Sequence, residues 1–184
     1  MKFFFTATVG LLLAASNCTA TDRPDYLGLT PAVAAEARAQ PAAVPPGATL
    51  RELERWIFRD DMKSVYPLPR DYYMQHAGTR QGLLGFISST PFDGAVELYG
   101  CMMTNYLDSF TSRDPGCEGQ LRQRDLFFTG YIANTQLPGT VPLYRCYRGG
   151  LKPNNWIDHF DTTDARCEGR PNTVMDGIMG YVWL

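Results

Sequence analysis

The sequence predicts an all-β fold, and three observations predict it. A block of about 45 residues occurs three times, and each copy ends in a short run of β-prone residues. Gly and Pro, 17 and 13 of the 184 residues, fall between those runs as turn signals. Three units of this size, each too small to bury its own apolar face, predict one domain with pseudo-threefold symmetry, a β-trefoil.

The chain opens on "MKFFFTATVGLLLAASNCTA", one lysine, an apolar run to Ala15 and small residues ending at Ala20. This is the order of a secretory signal over residues 1–20 and implies an extracellular protein. Cleavage after Ala20 sets Cys18 at the −3 place. The alternative is a lipoprotein acylated at Cys18, against which Asn17 stands where a small residue is expected. The apolar run is too short to span a membrane, and no later segment reaches the roughly 18 apolar residues required. Residues 21–48 are rich in Ala and Pro and read as a flexible or semi-rigid leader. Thr30-Pro31 offers a start for a short helix through Gln40, which Pro41, Pro45 and Pro46 would stop.

The β-domain is expected over 49–184, with repeats at about 49–91, 92–136 and 137–184. "RELERW" (51–56), "VELYGC" (96–101) and "VPLYRC" (141–146) start the units 45 residues apart. "GLLGFI" (82–87), "FFTGYI" (127–132) and "GIMGYV" (177–182) close them as strands. Between these, Tyr106–Gly119 and Trp156–Gly169 agree at Asp108/Asp158, Phe110/Phe160, Asp114/Asp164, Cys117/Cys167, Glu118/Glu168 and Gly119/Gly169. The first unit is shorter and without cysteine, with Asp71 and Tyr73 at the corresponding place. Its start is ambiguous, because Thr49-x-x-Glu52 resembles a capping box and Leu50, Leu53, Trp56 and Ile57 have helical spacing. Gly94, Gly139 and "RGGLKPNNW" (148–156) mark turns.

Four cysteines remain after the signal, an even number bound for an oxidising compartment. Equivalent positions pair them within units, Cys101–Cys117 and Cys146–Cys167, each contributing about 3 kcal/mol on loop-closure grounds. The formal charge of −2, with no Lys/Arg run, lacks the footprint of a nucleic-acid or anionic-membrane binder.

"PLYRCY", "DHFDTT" and "MDGIMGYVW" together resemble a repeat of secreted bacterial and fungal proteins. Its typical form is Pro-Leu-Tyr-Arg, then Asp-His-Phe-Tyr-Thr-Thr, then Glu-Gly-Ile-x-Gly-Tyr-Val. Pro142, Leu143, Tyr144, Arg145, Asp158, His159, Phe160, Thr162, Thr163, Gly177, Ile178, Gly180, Tyr181 and Val182 match it. Asp161 and Asp176 replace its Tyr and Glu. The resemblance covers most of 96–184 and implies an extracellular trefoil-like, lectin-like domain of the kind found beside carbohydrate-active modules.

Only His76 and His159 could supply an imidazole. The places equivalent to His159 hold Ser109 and Tyr72, so a mechanism repeated in each unit cannot use it. The aspartate recurs as Asp71, Asp108 and Asp158. The simplest role for it is a turn residue accepting backbone N–H bonds, with ligand binding as the alternative. Asp158, Asp161 and Asp164 recur every third residue, unlike a calcium loop, and zinc would want more His or free Cys. No nucleophile elbow, phosphate loop or dinucleotide fingerprint occurs, so no catalytic residue, metal or cofactor is expected.

The leading functional reading is a secreted, lectin-like protein without catalytic activity, its partner a glycan or glycoprotein. Sugars are held by an aromatic face together with carboxylate and amide groups. Tyr106 with Asp108 and Asn105 forms one such set, and Asn154, Asn155 and Trp156 with Asp158 a more amide-rich one. Similar sites used together gain avidity. The competing reading is a protein-binding factor, a protease inhibitor or host-interacting effector, on the same scaffold.

Overall fold

Leu53, Leu98 and Leu143 hold the same place in the three units, and each is fully buried. The strands that carry them open the three units. The computed structural model describes residues 25–58, 61–65, 78–104, 108–122, 129–149 and 157–184, of which 61–65 and 122 are described by their backbone. In chain order these residues form helix α1 (Pro31–Ala39) and strands β1 (Leu50–Phe58), β2 (Asp61–Val65), β3 (Gly78–Ser88), β4 (Ala95–Met102) and β5 (Ser109–Ser112). Strands β6 (Leu121–Arg122), β7 (Gly130–Ala133), β8 (Thr140–Arg148), β9 (Asp158–Thr162) and β10 (Thr173–Trp183) follow. The protein is all-β, and its ladders are antiparallel.

Each unit is a hairpin of its first and last strands: β1 with β3, β4 with β7, β8 with β10. The last strands bridge one another at Trp183–Phe86, Tyr181–Ala133 and Ser88–Tyr131. The inner strands β2, β5 and β9 pair with β1, β4 and β8 and touch one another. The helical spacing at 50–57 is overridden because β1 finds ladder partners on both sides, β2 and β3.

The core is built from equivalent positions. Ile87, Ile132 and Val182 join the three leucines, all without exposed surface. Gly85, Gly130 and Gly180 let the closing strands approach this closely, with φ of 144°, 120° and 144°. A Cβ on Gly85 would lie 2.7 Å from Val182 Cγ2, one on Gly130 2.9 Å from Ile87 Cδ1, and one on Gly180 2.7 Å from Ile132 Cγ2. Each glycine therefore faces the closing strand of another unit, first to third, third to second, second to first.

Both disulfides form as the repeat predicts, Cys101–Cys117 and Cys146–Cys167, with Cα–Cα separations of 5.6 and 5.8 Å. Among the described residues, no helix is long and apolar enough to cross a membrane.

The leader differs from the expectation of a flexible or semi-rigid segment: from Asp25 onward it is docked on the domain. Tyr26 forms a parallel bridge with Leu83, in which Leu27 N donates to Leu83 O (2.8 Å) and Leu83 N to Asp25 O (3.2 Å). Leu27 and Leu29 pack against the core. Helix α1 starts at Thr30, whose hydroxyl accepts from Val33 N, with Pro31 in its first turn. Ala34 and Ala37 are its buried side chains, small enough for the helix to sit close. Trp183 Nε1 then donates to Ala43 O, and Ala43 N to Pro138 O. The Ala-rich composition serves close packing here, not flexibility.

Candidate functional site

The polar residues of the units are joined across unit boundaries by two arginines at equivalent places, Arg55 and Arg145. A β-bulge lies opposite each, where the register shifts across Gln81 and across Asp176. Arg55 Nε donates to Gln81 Oε1 (2.7 Å) and Arg145 Nε to Asp176 Oδ2 (2.6 Å). The far end of Arg55 grips the third unit, reaching Glu168 with two nitrogens (2.7 and 3.1 Å) and Asp161 O (2.8 Å). Arg145 grips the second unit in the same way, at Glu118 (2.7 and 3.1 Å) and Thr111 O (2.7 Å). Each guanidinium also lies over a phenyl ring, Phe160 at 5.2 Å and Phe110 at 5.3 Å.

The glutamates are presented by short 3-10 turns, Cys117–Gly119 and Cys167–Gly169, in which Glu118 and Glu168 take φ of 55° and 58°. The disulfides pin the first residue of each turn. Asp114 accepts from Gly116 N and Glu118 N, and Asp164 from Arg166 N and Glu168 N. These two aspartates hold their own turns. Hydrogen bonding to Arg145 holds the Glu118 carboxyl below its ordinary pKa, against the opposing push of partial burial. For Glu168 burial is the largest influence and pushes upward. The hydrogen bonds and charge of Arg55, with Thr162 and Arg170, outweigh it, so this pKa also falls.

Asp108, which immediately precedes β5, and Asp158, the first residue of β9, are the repeated aspartates. Their exposures are 1% and 0%. Asp108 does accept a backbone N–H, but from His159 of the third unit (2.9 Å), not from its own turn. Its other oxygen lies 2.5 Å from His159 Nδ1, which assigns the ring proton to that nitrogen. His159 Nε2 is 3.9 Å from Asp176, and Phe110 and Tyr147 flank the ring at 5.3 and 4.8 Å. Thr111 Oγ1 donates to both oxygens of buried Asp161 (2.8 Å). Asp158 lies 3.6 Å from Arg148. Both repeated carboxylates thus face protein groups in the interior. Tyr106, Asn154, Asn155 and Trp156 lie outside the described residues, as do Asp71, Tyr72, Tyr73 and His76.

One open groove of about 530 Å³ lies where the leader meets the third unit, lined by Tyr26, Leu27, Gly28, Asp164, Arg166, Glu168 and Gly169. It offers a phenol, whose pKa burial raises, and the exposed Arg166 guanidinium beside an Asp164 carboxylate that the turn already engages. Among the described residues no group of three or more His, Cys, Asp or Glu is placed to hold a metal ion.

Sequence reasoning missed the arginine links and the His159–Asp108 contact. The links had a signal: Arg55/Arg145 and Glu118/Glu168 recur in register, charge opposite charge, in the aligned units. The histidine contact had none, since its partners are 51 residues apart and only one unit carries the imidazole. No family model, curated protein or solved structure matches the chain.

Proposed function

We propose that the chain is a secreted, lectin-like β-trefoil that binds a glycan or glycoprotein without transforming it, and that it belongs with the secreted repeat proteins its third unit resembles. The β-trefoil reading draws support from three hairpins that meet at their last strands, beneath inner strands β2, β5 and β9 that touch one another.

The observation that carries the binding reading is the equivalence of Asp108 and Asp158. Both are buried at the start of an inner strand. The chain immediately before each holds the sugar-type side chains, Tyr106 in one unit and Asn154, Asn155 and Trp156 in the other. In this reading Tyr106 and Trp156 supply faces for the apolar side of a pyranose, and the asparagines bond its hydroxyls. Asp108 and Asp158 belong to the sites through the strand starts they hold in place.

A glycan array probed with the chain from residue 21 onward tests this, with Trp156→Ala beside it. Stacking on an aromatic platform is worth about 1–3 kcal/mol, so loss of that ring should weaken binding about tenfold or more while the thermal melt stays put. No glycan retained by the wild type, or undiminished binding by Trp156→Ala, overturns the reading. A protease-inhibition panel run in parallel addresses the competing protein-binding reading.

A further inference from the structure

The leader fills a notch in the first unit whose equivalent in the third unit is bare among the described residues. In the first unit Leu83 is 4% exposed, and Asp25–Gly28 lies along the outer edge of β3. A Cβ added to Gly82 would lie 2.7 Å from Asp25 O and 2.9 Å from Leu27 Cγ, so the leucine sits directly over this glycine. Leu27 O then accepts from Thr163 N and Thr163 Oγ1 on the turn of the neighbouring unit. Gly28 passes so close to Thr162 Oγ1 and Asp164 N that no side chain fits there.

Among the described residues, the third unit repeats the edge without the cover. Glu54 pairs with Leu83 and Arg55 with Gly82; likewise Tyr144 pairs with Ile178 and Arg145 with Gly177, with the same bulges on either side. The matched register turns the Ile178 N–H and C=O outward as it does those of Leu83. A Cβ on Gly177, however, would meet only Met179 Cε at 3.5 Å among the described residues. Ile178 is 43% exposed, and Val174 and Met175 beside it 59% and 45%. Ser112, Arg113 and Asp114 of the second unit stand where Thr162, Thr163 and Asp164 stand for the leader. Arg145 ties that turn to the third unit just as Arg55 ties its counterpart to the first.

We propose that the Gly177–Ile178 edge of β10 takes an extended segment of a partner protein by parallel strand addition, seated as the leader is seated on β3. The leader itself defines the partner's chemistry. A leucine-sized apolar residue lies over Gly177, its carbonyl accepts from Arg113 N, and a glycine follows. The position of Asp25 differs. In the leader that carboxylate pairs with Arg80 (3.0 Å), and the residue equivalent to Arg80 is Met175. The partner therefore carries an apolar side chain where the leader carries an acid. Edge strands with exposed apolar side chains invite such pairing, with main-chain bonds for affinity and alternate side chains for specificity. This inference stands apart from glycan binding, which uses other residues.

The test is a fluorescein-labelled peptide of residues 23–30, made both as the native sequence and with Asp25→Val, titrated by anisotropy against the chain from residue 21 onward. The Asp25→Val peptide should bind with a Kd below about 1 mM and the native peptide about tenfold more weakly. Gly177→Val should weaken the Asp25→Val peptide about tenfold or more, because the new side chain fills the notch. It should leave the melting temperature and any glycan binding unchanged, since the added Cβ meets only Met179 Cε, at an ordinary contact distance. No binding at about 1 mM, or binding untouched by Gly177→Val, overturns the proposal. So does sedimentation showing a dimer that Gly177→Val dissociates, which would assign the edge to a second copy of this chain.

Discussion

Replacing Arg55 with methionine removes a charge from the interior and leaves its partners behind. The side chain is 1% exposed, and that of Glu168, its bidentate partner, 16%. Methionine keeps the apolar stem and contact with Phe160 but loses the bonds to Glu168, Gln81 and Asp161 O. Breaking a buried pair from one side costs about 3–5 kcal/mol, because the remaining ion keeps its desolvation penalty without its partner. Arg170, 3.1 Å from Glu168, offsets some of that, so about 4 kcal/mol is expected. Arg145→Met should cost about half as much, because Glu118 and Asp176 are 46% and 35% exposed and can recover water. At roughly 2–4 °C per kcal/mol for a domain near this size, Arg55→Met should melt about 8–16 °C below the wild type. Calorimetry at neutral pH with the disulfides intact measures both variants. The double variant Arg55→Met/Glu168→Gln should lose less than the sum of its parts, since no unpaired carboxylate remains. A melt within about 2 °C of the wild type for Arg55→Met, or a larger loss for Arg145→Met, would refute the burial reasoning.

Acid should unfold the protein through the same glutamates. Glu118 and Glu168 have folded pKa values below their ordinary 4.5, so they bind fewer protons folded than unfolded. The stability they contribute is fully present above about 4.5 and is lost as pH falls through the folded values. Melts from neutral to acid pH should show Glu118→Gln and Glu168→Gln starting lower and falling less steeply; unchanged slopes in both would exclude this origin. Gly180→Ala should cost about 3 kcal/mol through its left-handed φ and its clash with Ile132, whereas Gly177→Ala should stay within about 0.5 kcal/mol in denaturant titrations. Equal effects at the two glycines would contradict the packing described. His159→Ala should fold, bind any glycan to within a few-fold and lose about 2 kcal/mol, since buried Asp108 forfeits a charge-assisted partner. A fully stable variant would mean that the backbone N–H alone satisfies that carboxylate.

What could be read from the sequence was what repetition makes visible. The all-β class and both disulfides follow from units that restate themselves, because equivalent residues must occupy equivalent surroundings. Leu53 and Trp56 read equally well as helix or strand, since local spacing cannot reveal that β1 has a ladder partner on each side. The leader was opaque for a related reason. The bond from Leu27 to Leu83 needs an edge 56 residues downstream, and nothing in "PDYLGL" announces it. Asp108 and Asp158 were recognised as special, but their role depends on which unit packs against which. His159 shows the limit of arguing from equivalence: a residue present in one copy alone can still anchor a junction. The aromatic and amide residues of the candidate sugar sites remain readable from the sequence only, as they lie outside the described residues.

The two arginine links run from the first unit to the third and from the third to the second. A third link would run from the second unit to the first, and both of its ends are missing: Gly100 stands where the arginine belongs, and the first unit has no Cys-Glu-Gly turn to receive one. Desolvation explains why the two absences go together. Once either partner of a desolvated pair disappears, the survivor is a liability of several kcal/mol, and selection then favours its replacement by something small and neutral. Gly100 and the missing turn are therefore consistent with each other, since a lone arginine or a lone glutamate at this seam would be an unpaired ion. At the other two seams, Arg55 with Glu168 and Arg145 with Glu118, neither partner can be replaced alone without that penalty, so each pair can change only as a pair.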